Sequence, residues 1–133
     1  MYGEHIWRRL PLLLMLDLGG CSVCGNQIQE ELKQPGGSYR ALLFERDCGA
    51  TTRYSEQISF LQPYERLGHK SGNVFVMDDD QGKTSLRVEM KWVSNRTLQI
   101  AYPGNARVFL KVSKYRDISI LYTTLEAEGE HAD

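Results

Sequence analysis

No stretch of this 133-residue chain stays apolar for the about 20 residues that a bilayer-spanning helix requires. The longest apolar run, Leu10 to Leu16, is cut short by Asp17 and then by Gly19 and Gly20. Neither sign of charge dominates either. Sixteen Lys and Arg against seventeen Asp and Glu leave a net charge of -1, so no global field draws the protein to nucleic acid or to an anionic membrane. Histidine is scarce: of three, only His69 lies mid-chain, and no serine has an evident triad around it. Helical periodicity is nearly absent. Only Gln27 to Lys33 carries it, through Ile28 and Leu32 at i, i+4, which is too little to prefer a helix over an edge strand. What is present is an ordinary globular composition, 41% hydrophobic, 10% aromatic and 25% charged, enough for one domain.

The N-terminus places Arg8 and Arg9 before the apolar run, the order of a secretory signal. The run ends in Leu18-Gly19-Gly20-Cys21, which resembles the lipobox of bacterial lipoproteins: an aliphatic residue, two small residues, then the cysteine that is acylated and becomes the new N-terminus. Small residues let a peptidase hold the chain extended at the cut, and a thiolate reaches the lipid donor. Glu4 and His5 among the basic residues, and Asp17 in the apolar run, depart from the pattern. The other reading is a buried or amphipathic helix over residues 10–18 with Cys21 an ordinary thiol. On the lipoprotein reading, residues 1–20 are a signal peptide, 21–34 an anchor and N-terminal segment, 35–125 the folded domain and 126–133 an acidic tail. Ser22 after the cysteine implies, in the Gram-negative pattern, release to the outer membrane facing the periplasm.

Three cysteines then divide cleanly: lipid takes Cys21, and Cys24 with Cys48 remain as an even pair for an oxidising compartment to join. A closed loop of about 25 residues stabilises by roughly 3 to 4 kcal/mol on the chain-entropy account. A metal pair or a catalytic thiol is the alternative, since Cys21-x-x-Cys24 has redox-motif spacing but follows a signal rather than a strand.

Beyond the anchor the pattern is strand after strand. Tyr39 to Arg46 follows the turn signal Gln34-Pro35-Gly36-Gly37; Gln57 to Leu61 alternates until Pro63; Asn73 to Met77 runs into Asp78-Asp79-Asp80-Gln81-Gly82. Leu86 to Trp92 alternates strictly, apolar at even positions and charged at Arg87, Glu89 and Lys91, which predicts an antiparallel strand with one face in the core. Ser94-Asn95-Arg96 turns it back into Thr97 to Tyr102, and Val108 to Val112 and Ile118 to Tyr122 complete the set. Two turn-plus-strand stretches look like propeller blades, but two blades cannot close a ring. The expected fold is all-β, an antiparallel meander folded as a sandwich or rolled sheet.

Candidate chemistry is thin, and no cofactor motif stands out. Gly82-Lys83-Thr84 matches only the tail of a phosphate-binding loop, because Met77 stands where a glycine is required, and it reads as a hairpin turn. Asp78, Asp79 and Asp80 resemble a calcium loop without its later bidentate carboxylate, so a solvated turn is expected and no metal. Asn95-Arg96-Thr97 matches a glycosylation sequon but reads as a tight turn. The richest segment is Arg46 to Arg53. There Arg46 and Arg53, the Asp47 carboxylate, the Thr51 and Thr52 hydroxyls and a run of small residues could meet an anion or a partner's carboxylate. The plainer reading is a turn satisfied by Asp47, Thr51 and Thr52, with Gly49 permitting a positive φ and Cys48 stapling the loop.

Cys24-Gly25-Asn26, Pro35 to Ala41, the stretch Arg46-Asp47-Cys48-Gly49-Ala50-Thr51-Thr52, Gly72 to Val76, Trp92 to Asn95 and Tyr102 to Phe109 together resemble a family of small bacterial exported or lipid-anchored proteins whose activity is undescribed. The resemblance implies an address and no substrate. The expectation is therefore a lipid-anchored envelope protein, attached to the membrane through Cys21 and acting as a non-enzymatic binding module for an envelope partner. The alternative is a small hydrolase or metal-dependent enzyme using His69, Asp47 or the Asp78 to Asp80 turn.

Overall fold

A computed structural model describes residues 24–49 and 53–126. The signal segment, the acylation candidate Cys21, the hydroxyls of Thr51 and Thr52 and the tail beyond Glu126 lie outside the described residues. Among those described there is no helix, and nine strands form two sheets. Sheet A carries the strand order β1-β2-β3-β4-β7 and sheet B the order β5-β6-β9-β8. The all-β sandwich anticipated from the alternation is the fold.

β1 (Gly25–Lys33), β2 (Arg40–Asp47), β3 (Ser55–Leu61) and β4 (Phe75–Asp78) form an antiparallel meander. The short segment that was ambiguous between helix and edge strand is the edge strand β1, so the sandwich reaches back to Gly25 and most of 21–34 belongs to the folded domain. The turn after β1 needs Gly36 at φ +65 and closes with Gln34 N donating to Tyr39 O at 2.8 Å. Gln34 also donates its side-chain amide to Asn95 O at 2.7 Å, tying this corner of sheet A to sheet B.

The chain then changes sheets. β5 (Glu89–Ser94) and β6 (Thr97–Pro103) make the expected hairpin around Asn95 and Arg96. The inward positions Leu86, Val88, Met90 and Trp92 alternate with exposed Arg87, Glu89 and Lys91, even though ladder pairing begins only at Glu89. β7 (Arg107–Lys111) returns to sheet A beside β4, after which β8 (Lys114–Tyr115) and β9 (Ile118–Leu125) rejoin sheet B. This excursion pairs β4 with the non-consecutive β7 and lets β9 lie parallel to β6, so the sheets depart from the expected antiparallel meander in both places.

Ala41, Leu43, Ile58, Phe60, Phe75 and Met77 of sheet A face Met90, Leu98, Ile100, Ile118 and Ile120 of sheet B in one core. Aromatic pairs span it: Phe60 stacks on Trp92 at 5.9 Å, and Phe75 meets Tyr102 and Tyr122 at 5.1 and 5.7 Å. A second, smaller core lies on the outer face of sheet A. There the connection of residues 62–73 lays Leu67 over Leu42, Phe44 and Leu61. It also supplies partners for polar groups on that face: Gly72 N donates to Gln57 Oε1 at 2.6 Å, and Asn73 N donates to Ser59 Oγ at 3.1 Å. Gln57 and Ser59 are therefore buried yet satisfied.

Candidate functional site

The 62–73 connection covers only half of sheet A's outer face. The uncovered half is built by β3, β4 and β7, where Ser55, Asp78 and Arg107 occupy one row of the ladder. A register shift opposite Val76 and Met77 makes Phe109 an extra residue on β7, and it is left 61% exposed. The Arg107 guanidinium lies 5.2 Å over that ring while its Nε donates to Asp78 Oδ1 and Oδ2 at 3.1 and 3.2 Å. Arg53, Ser55, Val76, Gln81, Arg107 and Phe109, with Asp78 at the floor, line an open groove of about 500 Å³.

The acidic turn frames this groove. Asp80, Gln81 and Gly82 follow one another at φ 47, 60 and 82, two of them strained non-glycine positions. The turn is held by Asp78 Oδ1 accepting from Asp80 N at 2.9 Å and by Thr84 N donating to Asp79 O at 3.2 Å. Rather than a hairpin within one sheet, it is the bridge from sheet A to sheet B. Each aspartate meets a cation: Asp78 meets Arg107, Asp79 takes Arg53 on both oxygens at 2.9 and 3.1 Å, and Asp80 lies 3.7 Å from Lys83. Hydrogen bonds from Arg107 hold the Asp78 carboxyl below its ordinary range, and those from Arg53 do the same for Asp79, in both cases against the opposing effect of burial. Among the described residues no group of three His, Cys, Asp or Glu side chains is arranged to hold a metal ion.

Cys24 and Cys48 are bridged, with S–S 2.07 Å, where β1 begins and β2 has just ended. Beside the bridge, Arg46 donates through Nη1 to Asn26 Oδ1 at 2.9 Å and to His69 O at 2.8 Å. Asn26 donates to the carbonyls of Gly68 and Lys70 at 3.0 and 2.7 Å, and His69 Nδ1 lies 3.0 Å from Cys24 O. Arg46 and His69 thus come together, as a clamp pinning the 62–73 connection to the start of β1. Asp47 Oδ1 accepts from Gly49 N at 2.9 Å, with Gly49 at φ 114, which is the self-satisfied turn of the plainer reading.

Arg46 and Arg53, which the sequence set in one loop, turn to different partners, Asn26 and Asp79. His69 and Asp47 sit at the disulfide, and the aspartate turn sits at the groove. No family model matches the chain, and no match to it was found among curated proteins or solved structures.

Sequence reasoning missed Arg107, Phe109 and Gln81. A signal for the first two was there: Arg107-Val108-Phe109-Leu110-Lys111 places three apolar residues in succession between cations, and a strand with one buried face cannot bury all three. It also missed Glu56, which shares the inward face of β3 with Ile58 and Phe60.

Proposed function

We propose that this chain is a lipid-anchored envelope protein acting as a non-enzymatic binding module, acylated at Cys21 and presenting the open half of sheet A to a protein partner in the envelope. The observation that carries this reading is the Cys24–Cys48 bridge. It ties the first residue of the sandwich to its second strand only three positions after Cys21, so an acyl chain there holds the domain on a tether of a few residues. A half-buried disulfide of this kind persists in an oxidising compartment, in keeping with the export signal and with the resemblance to exported bacterial proteins.

The groove suits recognition rather than turnover. An exposed aromatic ring beside two half-exposed guanidiniums, each oriented by a more buried carboxylate, is the composition of a protein-binding patch. Among the described residues its carboxylates, Asp78 and Asp79, are paired with Arg107 and Arg53.

Two measurements test the two parts. In cells given a fatty-acid probe, wild-type protein incorporates label and Cys21→Ser does not; label retained by the variant would overturn the anchor. A photo-crosslinking residue at position 109 yields a discrete protein adduct in intact cells, whereas one at position 121, also exposed but on sheet B, does not. Equal adducts at both positions would remove the groove as the binding surface.

A further inference from the structure

A glutamate inside a β-sandwich core demands a partner or a proton. Glu56 is 2% exposed, on the face of β3 that also carries Ile58 and Phe60. Its neighbour in register on β4 is the apolar Met77, and its neighbour on β2 is Glu45. The third element to reach it is the edge strand β1. A bulge between Ile28 and Glu30 inserts Gln29 as an extra residue, and the Gln29 amide Nε2 donates to Glu56 Oε1 at 3.2 Å. The second oxygen, Oε2, is buried without a hydrogen-bond partner among the described residues.

This geometry suits a neutral acid and not a carboxylate. An ionised carboxylate in an apolar interior needs its lone pairs filled, and here one oxygen is bare. The facing groups divide. The Gln29 amide on β1 favours the carboxylate, whereas Glu45 from β2 opposes ionisation through its charge and a hydrogen bond; β4 offers Met77. On β1 the amide of Gln29 is followed by Glu30, in register with Leu43, and sheet B closes the same core with Val88, Met90 and Ile100.

We propose that Glu45, Glu56 and the bulge residue Gln29 form a proton-operated clasp on edge strand β1, closed while Glu56 is neutral and loosened when it ionises. Opening β1 is the short route by which the new charge reaches water, because β1 is the sheet's edge and pairs on one side only. The strand released is the one that follows Cys24, which stays joined to Cys48 by the disulfide. Burial, reinforced by Glu45 and only partly offset by the Gln29 hydrogen bond, pushes Glu56 up to about 8, so the hold on β1 weakens progressively as the pH rises from the ordinary glutamate range toward 8. Nothing in the clasp depends on acylation at Cys21.

Amide hydrogen exchange of the disulfide-intact protein at pH 6.5 and pH 9, corrected for intrinsic rates, reads the clasp directly. Protection across Gly25–Lys33 falls about tenfold or more at pH 9 while Thr97–Pro103 in sheet B keeps its protection, and Glu56→Gln abolishes the pH effect on β1. Protection of β1 that is equal at the two pH values, or a fall that persists in Glu56→Gln, would overturn the proposal. If Glu56→Gln fails to fold, carboxyl carbon NMR of the wild type decides: one glutamate titrating well above the rest, and moving downward in Glu45→Gln, supports the clasp, and its absence refutes it.

Discussion

Arg107 and Asp78 stand opposite each other across the β7–β4 ladder, the guanidinium bonded to both oxygens of a carboxylate whose side chain is only 9% exposed. The two partners are not equivalent. Without Asp78 the half-exposed arginine returns to water; without Arg107 the aspartate is left in a recess with its charge uncovered.

Arg107→Ala therefore lowers the melting temperature at neutral pH more than Asp78→Asn does. The pH dependence has a definite sign. Arg107 depresses the folded-state pKa of Asp78, so its stabilisation is present above the ordinary carboxylate range and is lost as the pH falls through the folded-state value. The gap between wild type and Arg107→Ala closes on acidification. Thermal unfolding at pH 7 and pH 3 checks it, and a gap independent of pH would contradict the assignment.

Glu56 behaves in the opposite sense. Its folded-state pKa is raised from 4.5 to about 8, so the stabilisation is complete below 4.5, declines as the pH rises toward 8, and is gone above that. Wild-type stability measured in urea should drop by a few kcal/mol between pH 5 and pH 9, and Glu56→Gln should flatten that decline. A wild-type curve that is level over this range would contradict the raised value.

The disulfide is worth about 2 to 4 kcal/mol for a loop of this length. Reduction, or the double variant Cys24→Ser with Cys48→Ser, is expected to lower stability by that amount while retaining the strand signature in circular dichroism, because the β5–β6 hairpin and its packing do not involve the bridge. Intact mass before and after reductant, followed by alkylation, counts the thiols. Full alkylation of unreduced protein would mean that the bridge is absent.

Gly72 has no room for a side chain. A Cβ there would lie 2.9 Å from the carbonyl oxygens of both Ile58 and Phe75, backbone atoms that cannot turn aside. Gly72→Ala should cost about 1 to 3 kcal/mol. Gly25→Ala, with nothing within 4 Å of the added carbon, is the matched control and should cost far less.

Alternation over Leu86 to Trp92, the turn at Asn95 and Arg96, and an even cysteine pair left once Cys21 is set aside were enough to read, from the sequence, strands, a hairpin, the sandwich class and the Cys24–Cys48 bridge. All of these rest on neighbours along the chain or on parity, which sequence records directly. What surrounds a strand is another matter. Gln57 and Ser59 sit at positions that alternation assigns to solvent, yet the 62–73 connection covers them and satisfies their polar atoms. A period of two says which residues share a face and nothing about what lies over that face. For the same reason the parallel β6–β9 pairing, the separation of Arg46 from Arg53, the groove between Asp78, Arg107 and Phe109, and the enclosure of Glu56 beneath a bulge twenty-seven residues away were decided by tertiary structure. Each depends on contacts between segments distant in sequence, whose energies act only once the chain has closed around them.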